Sequence, residues 1–581
     1  MATDESIGDF IIIGLDFGTT YSGIAWTYSK DPQDINVVRN WNAEFSHCSE
    51  NIKAPTQLFY SGDRDPFWGY SIPAENDALK WFKLLILDEE YISAHVGSSS
   101  HLQYARELLK TMKKDPIEVI ACFLRKIWNH AIDSITSCIG PQLLKKSRFH
   151  VVVTHPAIWP PYAQQRMKQA AKASGILDPR PCGDTIVCFI SEPEAAALAT
   201  MRDLSKILTM EAEDTVIICD AGGGTVKDLC SYVVKSTEPV VVQECVKGDG
   251  DLCGGIFLDE MFVNLIKRKT TPNLWAGVSL ADQNVFLNDK WEHNIKKQFL
   301  NDNRRTWLVE LPVSSSGSIS DRRRRKILQL SSDDIFTVFD PIISKIEALV
   351  RRQNGAIQSK YGKPAKYIIL VGGLGRNSFL FNRLQDKFKA TVLQSPEDKP
   401  WTAICRGAVM RGITSHRLSA SLGVEIGSRV ARRSYGVLTD IPFRPDEHLE
   451  SEKFWSNDSQ MWRVPGYMQW FVYKGDNMLT EGLVRRKFGQ LCSENTGRVH
   501  QIIFACSKYP PPNVRDGTVQ QLCVIQWTRT INVGLLPTYT DSLGKVSHRL
   551  EYEVEMTCKD GTAEFTVYFE GQRVGANNVE V

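Results

Sequence analysis

The chain has 581 residues, 43% of them hydrophobic and 23% charged, with a formal net charge of +2. That length predicts about two to four domains, and the composition is that of a globular protein. So small a net charge gives no electrostatic case for nucleic acid or an anionic membrane as principal partner, and no apolar run approaches the ~20 residues of a bilayer span.

The opening Met1–Asp9 is acidic and polar, without the basic and apolar regions of a signal peptide. The 14 cysteines include no Cys-x-x-Cys pair and predict small buried side chains in a reducing compartment, with a cytoplasmic location. The first structured segment is the apolar run Phe10–Leu15, then the turn Asp16-Phe-Gly-Thr-Thr-Tyr21, then the β-like stretch Ser22–Trp26. Helical patterns follow at Tyr104–Met112, Pro116–Ile135, Tyr162–Ser174 and Glu194–Leu204. The strand–turn–strand arrangement then repeats: Thr215–Cys219, the turn Asp220-Ala-Gly-Gly-Gly-Thr225, and Leu229–Val234. Further helices are predicted over Asp259–Arg268 and Asp333–Gln353. The basic run Asp321–Lys326 between them reads as a solvated loop, or as a localisation patch. A third glycine turn, Gly372-Gly373, ends the buried-type strand Tyr367–Val371 and precedes a helix over Phe379–Phe388.

Alternation of strands and helices from residue 9 to about 412 predicts α/β architecture. After about residue 420, aromatic and β-branched runs such as Met468–Asp476, Val499–Ala505, Gln521–Trp527, Arg549–Met556 and Ala563–Phe569 alternate with turn signals, which suggests a β-sandwich.

The two Asp–Gly turns carry the chemistry. Glycine lets backbone approach a bound group closely, and successive N–H groups in such a turn form a concave anion site. Asp16 and Asp220 each add a carboxylate for a hydrated Mg²⁺, and the third turn aims N–H groups and a helix N-terminus at a ligand. A single Gly-rich hairpin is an ordinary turn; two with a third glycine loop suit the polyphosphate of ATP.

In this order, Asp16-x-Gly-Thr-Thr-Tyr21, Ile190-Ser-Glu-Pro-Glu-Ala-Ala-Ala197, Asp220-x-Gly-Gly-Gly-Thr225 and Val371-Gly-Gly373 resemble the ATPase domain of the 70-kDa heat-shock family, as does Val151-Val-Val-Thr-His-Pro-Ala157. Trp81-Phe-Lys83, Leu252-Cys-Gly-Gly255 and Trp470–Asp476 look closer to its divergent heat shock 70 kDa protein 12-like branch. The resemblance implies a two-lobed actin-like, hexokinase-like ATPase domain over 9–412, a linker over 413–421, and a β-rich substrate-binding domain over 422–581. It implies ATP/ADP and Mg²⁺ as cofactors, and protein clients or co-chaperones as partners.

By position, Asp16 and Asp220 would hold Mg²⁺ through water. Backbone around Gly18, Thr19, Thr20 and Tyr21, and Gly222, Gly223 and Gly224, would hold phosphates. Thr225 would sit near the γ-phosphate with Thr19, and Glu192 would order water. Gly372, Gly373 and Arg376 would flank the adenosine, with Lys296 and Lys297 against base and ribose, or on a solvated helix face. Lys83 would be the catalytic lysine, unless it is a surface lysine like Lys80 one helical turn away. Such assignments suit phosphoryl transfer, which needs positioning and charge neutralisation.

The sequence departs from the family in three respects: the second glycine turn, the adenosine loop and the coupling of its domains. Thr225-Val-Lys-Asp228 either replaces an acid with Lys227 or inserts one residue, with a β-bulge, ahead of Asp228. Leu374 stands where the family has a small hydroxyl residue, and no acid matches the one expected near Pro400-Trp401. Thr414–Ser421 lacks the acidic, leucine-rich linker, and no helical lid is expected after the β-region. Two other readings use the same fold: a nucleotide-sensing pseudo-ATPase scaffold, and a small-molecule kinase, for which no Asp general base with a matching motif is present.

Overall fold

The computed structural model describes residues 9–43, 50–62, 64–92, 97–157, 159–205, 207–224, 226–251, 253–270, 275–302, 304–312, 327–416, 418, 423–456, 461–479, 483–492, 499–529, 531–540, 546–559 and 562–580. It is a mixed α/β chain that divides into two units, one comprising residues 1–242 and 248–425 and the other 243–247 and 426–581. Among the described residues no helix is long and apolar enough to cross a membrane.

The first unit holds two sheets of like construction. In one, Phe10–Asp16 pairs antiparallel with Tyr21–Tyr28 and parallel with Arg148–His155, which pairs parallel with Ile186–Ser191; Asp31–Val37 closes the hairpin side. In the other, Thr215–Asp220 pairs antiparallel with Val226–Thr237 and parallel with Tyr367–Val371, which pairs parallel with Thr391–Gln394. Every residue of Phe10–Asp16, Thr215–Asp220 and Tyr367–Val371 is buried. Central parallel strands covered on both faces read as continuous apolar runs for this reason. Each hairpin leaves its central strand at a buried aspartate, Asp16 or Asp220, so the fold itself places a carboxylate at the C-terminal strand end.

Helices form at every predicted position with ends shifted by up to eight residues, and helix Lys399–Ser415 forms where none was expected. Pro116–Ile139 starts on a capping box: the Ile117 N–H donates to Asp115 Oδ1 at 2.7 Å, and the Asp115 N–H donates to Glu118 Oε2 at 3.1 Å. Its stripe of Val119, Phe123, Ile127, Ala131 and Ile135 is fully buried in the core beneath the first sheet. Each large apolar side chain so buried stabilises by about 1.5–3 kcal/mol before entropy is counted. Helix Lys399–Ser415 packs on both Phe10–Asp16 and helix Glu192–Leu204. It runs through Thr414 and Ser415, inside the span expected as a linker; residues 417 and 419–422 lie outside the described residues. So does the basic run 321–326.

The second unit contains two antiparallel sheets. One runs in the order Phe454–Ser456, Met461–Val472, Ser434–Pro442, His500–Cys506, Val519–Gln526; the other runs Leu483–Cys492, Val546–Lys559, Thr562–Phe569, Gln572–Glu580. Tyr435, Phe471, Ile503 and Ile525 from the first share one apolar core with Val554, Met556, Phe565 and Val567 from the second. Residues 243–247 group with this unit, where Glu244 accepts the Val430 N–H at 2.9 Å and pairs with Arg432 at 2.7 Å. Among the described residues of this unit the only helical segments are short 3₁₀ turns.

Candidate functional site

In the first unit the two hairpin turns meet tip to tip. A Cβ on Gly223 would stand 2.0 Å from Thr20 Oγ1, and one on Gly224 would stand 2.9 Å from Thr19 Cβ. Any side chain there would separate the turns, so the glycines serve close approach between segments about two hundred residues apart in sequence. The third glycine loop locks onto the second turn: the Leu374 and Gly375 N–H groups donate to the Ala221 carbonyl at 2.9 and 3.1 Å. Helix Gly255–Lys269 begins on the same turn, with the Gly255 and Ile256 N–H groups donating to the carbonyls of Gly222 and Gly223 at 3.1 and 2.8 Å.

Between these elements lies a cavity of about 440 Å³. It brings together Asp16, Gly18, Thr19, Thr20 and Tyr21 from the first turn, and Asp220, Gly222, Gly223 and Gly224 from the second. Lys83, Glu192, Lys296, Lys297, Gly372, Gly373 and Arg376 line it too. Thr225 lies outside the described residues, as do the side chains of Lys227 and Asp228. The backbone ladder nevertheless fixes the second turn's length. Asp16 faces Gly23 across positions 17–22, whereas Asp220 faces Asp228 across 221–227, and pairing runs in register from there to Thr215↔Val233. From Asp220↔Asp228 to Thr215↔Val233 no bulge interrupts the ladder.

Lys83 is buried, with 2% of its surface exposed, and donates to Glu192 Oε1 at 2.8 Å. It sits on a 3₁₀ turn, Phe82–Ile86, whose N-cap Trp81 is held at φ 63°, a left-handed conformation uncommon for a bulky residue. Its ammonium lies 5.6 Å and 5.1 Å from the ring centres of Phe17 and Trp159. Lys80 lines the same cavity, and burial lowers its pKa. Neither residue is a solvated surface lysine. Glu192 opens helix Glu192–Leu204. Burial raises its pKa, reinforced by the Asp16 charge and opposed by Lys83.

Asp16 has a partner that the sequence did not suggest: its Oδ2 receives the ammonium of Lys53. Burial alone would lower the Lys53 pKa, but the charges of Asp16 and Asp220 more than offset it and the net direction is upward. Asp16 Oδ1 accepts the Thr154 hydroxyl at 3.5 Å. Among the described residues no group of three or more His, Cys, Asp or Glu could hold a metal ion directly. Two carboxylates, Asp16 and Asp220, in one cavity fit a cation contacted through its own waters, the manner in which Mg²⁺ usually meets protein.

At the other end, Lys296 is held by Asp259 and Glu292, each at 2.7 Å, and its pKa is raised because these two acids outweigh burial. Trp291 Nε1–H also donates to Asp259 Oδ1, at 2.6 Å, and Asn377 Nδ2 donates to the Lys296 carbonyl at 2.9 Å. Lys297 is exposed, 3.3 Å from His293 Nδ1, so the two lysines differ: one is a positioned cation, the other a solvated one. Arg376 pairs with Asp398 at 2.8 Å and lies over the Trp401 ring at 5.8 Å. Asp398, at the N-cap of helix Lys399–Ser415, thus holds Arg376 beside Trp401, while the cavity lining itself includes Arg376 and Trp401 but not Asp398.

Sequence reasoning missed Lys53, Asp259, Glu292 and Trp401. None lies in a motif: Lys53, Asp259 and Trp401 enter the cavity through packing with residues far along the chain, and only Glu292, four residues before Lys296, left a local signal, the i,i+4 spacing of an ion pair. Cys219 and Cys405 are buried, and burial pushes the Cys405 thiol up to about 11, so these thiols pack rather than react.

Comparison with known proteins places this geometry in context. Residues 429–577 match a family described as Domain of unknown function (DUF8568). The chain is 24% identical over 610 residues to heat shock 70 kDa protein 12B of Homo sapiens, covering 88% of this chain and 82% of that one. It is 23% identical over 504 residues to human heat shock 70 kDa protein 12A, covering 71% of each. A shorter match, 28% identical over 214 residues, is to chaperone protein DnaK of Thermotoga petrophila, covering 37% of this chain and 29% of that one.

Proposed function

The chain is a divergent homologue of heat shock 70 kDa proteins 12A and 12B, and from that premise we propose that it binds ATP in the cavity between its glycine turns and hydrolyses it slowly, as an actin-like ATPase. The observation that carries this reading is the tip-to-tip closure of the Asp16–Tyr21 and Asp220–Gly224 turns over a cavity that also holds a buried Lys83–Glu192 pair. Backbone N–H groups of the two turns would take the phosphates. Lys296, fixed by Asp259 and Glu292, would meet the ribose and base, with Arg376 and Trp401 on the opposite side of the adenosine.

Mg²⁺, if contacted through water by Asp16 and Asp220, would supply neutralisation of the phosphates' negative charge. Lys83 would stabilise charge on the γ-phosphoryl group and, with Glu192, order the attacking water. Phosphoryl transfer asks little more of a protein than such positioning. The β-rich second unit is the part proposed to bind protein clients, along sheet edges or between loops.

One observation favours the second reading, a nucleotide-sensing scaffold. Lys83 and Lys53 are both engaged by carboxylates, so each must leave or share its partner to act on phosphate. Single-turnover hydrolysis of radiolabelled ATP with Mg²⁺, comparing wild type with Asp220→Ala and Lys83→Ala, separates the two. Turnover present in wild type and lost in both variants is expected. Tight binding without turnover in wild type would replace the ATPase with the scaffold.

A further inference from the structure

Lys53 belongs to none of the motifs, yet it is among the most deliberately placed residues in the first unit. It directly precedes the two-residue strand Ala54–Pro55, which pairs antiparallel with Tyr21–Ser22 of the first hairpin. The Thr56 N–H donates to the Thr20 carbonyl at 2.8 Å, and the Ser22 and Thr56 hydroxyls meet at 2.8 Å. Lys53 is thereby stitched to the phosphate turn itself. Its stem lies over Gly23, where a Cβ would stand 2.9 Å from Lys53 Cγ and 3.3 Å from Cε. Only glycine leaves that channel open, so hairpin and lysine fit one another as a pair. The side chain, 6% exposed, ends on Asp16 and lines the cavity.

Asp16 and Asp220 face a cavity proposed to receive a polyphosphate. Two carboxylates beside phosphate oxygens repel them, and for side chains as buried as Asp16 and Asp220 the repulsion is large unless positive charge stands between. A divalent cation is the usual remedy, but here a buried ammonium already stands on Asp16. An ammonium has three donors and can hold a carboxylate and a phosphate oxygen together.

We infer that Lys53 is a phosphate-binding residue of this site, supplying at the Asp16 side a positive charge in addition to that of the hydrated Mg²⁺, so that nucleotide binding persists when the metal is removed. This rests on the nucleotide reading above and adds to it a residue and a condition of binding. A purely structural role, holding the Ala54–Pro55 strand to the hairpin, would leave the metal dependence of binding untouched.

The test is calorimetric titration of ATP and of ADP into the full chain, with excess Mg²⁺ and with EDTA at matched ionic strength, for wild type, Lys53→Met and Lys53→Arg. Wild type is expected to lose less than about tenfold in affinity when Mg²⁺ is removed, and Lys53→Met to show a loss at least about tenfold larger than wild type, the size of one charge-assisted hydrogen bond. Lys53→Arg keeps the charge and should keep the wild-type ratio. A larger loss in wild type, or equal ratios in wild type and Lys53→Met, overturns the inference. If Lys53→Met fails to fold, Lys53→Gln, which also removes the charge while keeping a polar stem, takes its place in the same comparison. Binding by wild type only with Mg²⁺ sinks this inference and leaves the nucleotide site standing; no binding under either condition removes both.

Discussion

The two glycine hairpins of the first unit are built alike and finished differently. Each joins a buried central strand to an antiparallel partner and ends at an aspartate. The first turn spans positions 17–22, is stitched to Ala54–Pro55, and has Lys53 on its carboxylate. The second spans 221–227 and is stitched to the N-terminus of helix Gly255–Lys269 and to the third glycine loop. Topology therefore repeats while the supports differ: the first turn has a side-chain cation on its aspartate, and the second has backbone N–H groups of neighbouring elements on its carbonyls. Two halves of like fold can share one ligand while contributing to it unequally.

The largest expected effect comes from removing a cation on the first half's side. Lys83→Met leaves Glu192 buried and uncompensated, which should cost about 3–5 kcal/mol of stability. Glu192→Gln in the same background should recover much of it. Denaturant melts of the two variants measure this; a single variant as stable as wild type would show that the pair holds nothing together.

Next is acidity, which should act on the first sheet before the second. His150, buried in strand Arg148–His155, lies 2.9 Å from His416 and 3.2 Å from Cys188 Sγ. Burial, with the His416 and Arg411 charges, lowers its pKa from 6.5 to about 4. A base whose folded pKa is depressed takes its proton in the unfolded state first. Stability is thus fully present above about pH 6.5 and falls as pH drops toward 4, by on the order of 2–3 kcal/mol. The strands Thr215–Asp220, Tyr367–Val371 and Thr391–Gln394 contain no histidine. Hydrogen exchange at pH 7 and pH 5 should show protection lost first around strands 10–16 and 148–155. Equal loss in both sheets, or unchanged behaviour of His150→Gln, would count against it.

Glycine substitutions should separate the turns. Gly18→Ala meets the backbone oxygen of Tyr21 at 2.1 Å, whereas Gly223→Ala meets the Thr20 side chain at 2.0 Å. Both should weaken ATP binding by roughly a hundredfold, the scale of strained backbone at a clamp. Only Gly223→Ala should be relieved by a second change, Thr20→Gly; relief of Gly18→Ala by the same change would contradict the tip-to-tip geometry. The smallest effect is expected at Lys296→Met, about tenfold in nucleotide affinity, with Lys297→Met near wild type. Reversed ranks would exchange the positioned and the solvated lysine.

Motif residues were readable because each is local chemistry: an apolar run, an aspartate, glycines, then a β-branched return. Helix cores such as Val119–Ile135 and strands such as Ala563–Phe569 were readable for the same reason, since period and turn residues are local. Helix ends drifted, as with Ser332–Tyr361 against an expected Asp333–Gln353, because the last turns are held by capping and by tertiary contacts. The partnership of Asp398 with Arg376 and the burial of Lys83 were not readable, since a surface lysine and a cleft lysine have the same sequence.

Sequence alone established the strand–turn–strand units, their paired aspartates, the helices between them and the β-rich character after about residue 420, because propensity, periodicity and turn chemistry act over a few residues. Long-range closure of the chain set everything that concerns charge: Lys53 on Asp16, Lys83 on Glu192, and Lys296 between Asp259 and Glu292. Apart from Lys296 with Glu292, which are one helical turn apart, these partners lie tens of residues or more from one another in sequence. An ion pair depends on distance and dielectric, and both are properties of the packed interior rather than of the order of residues.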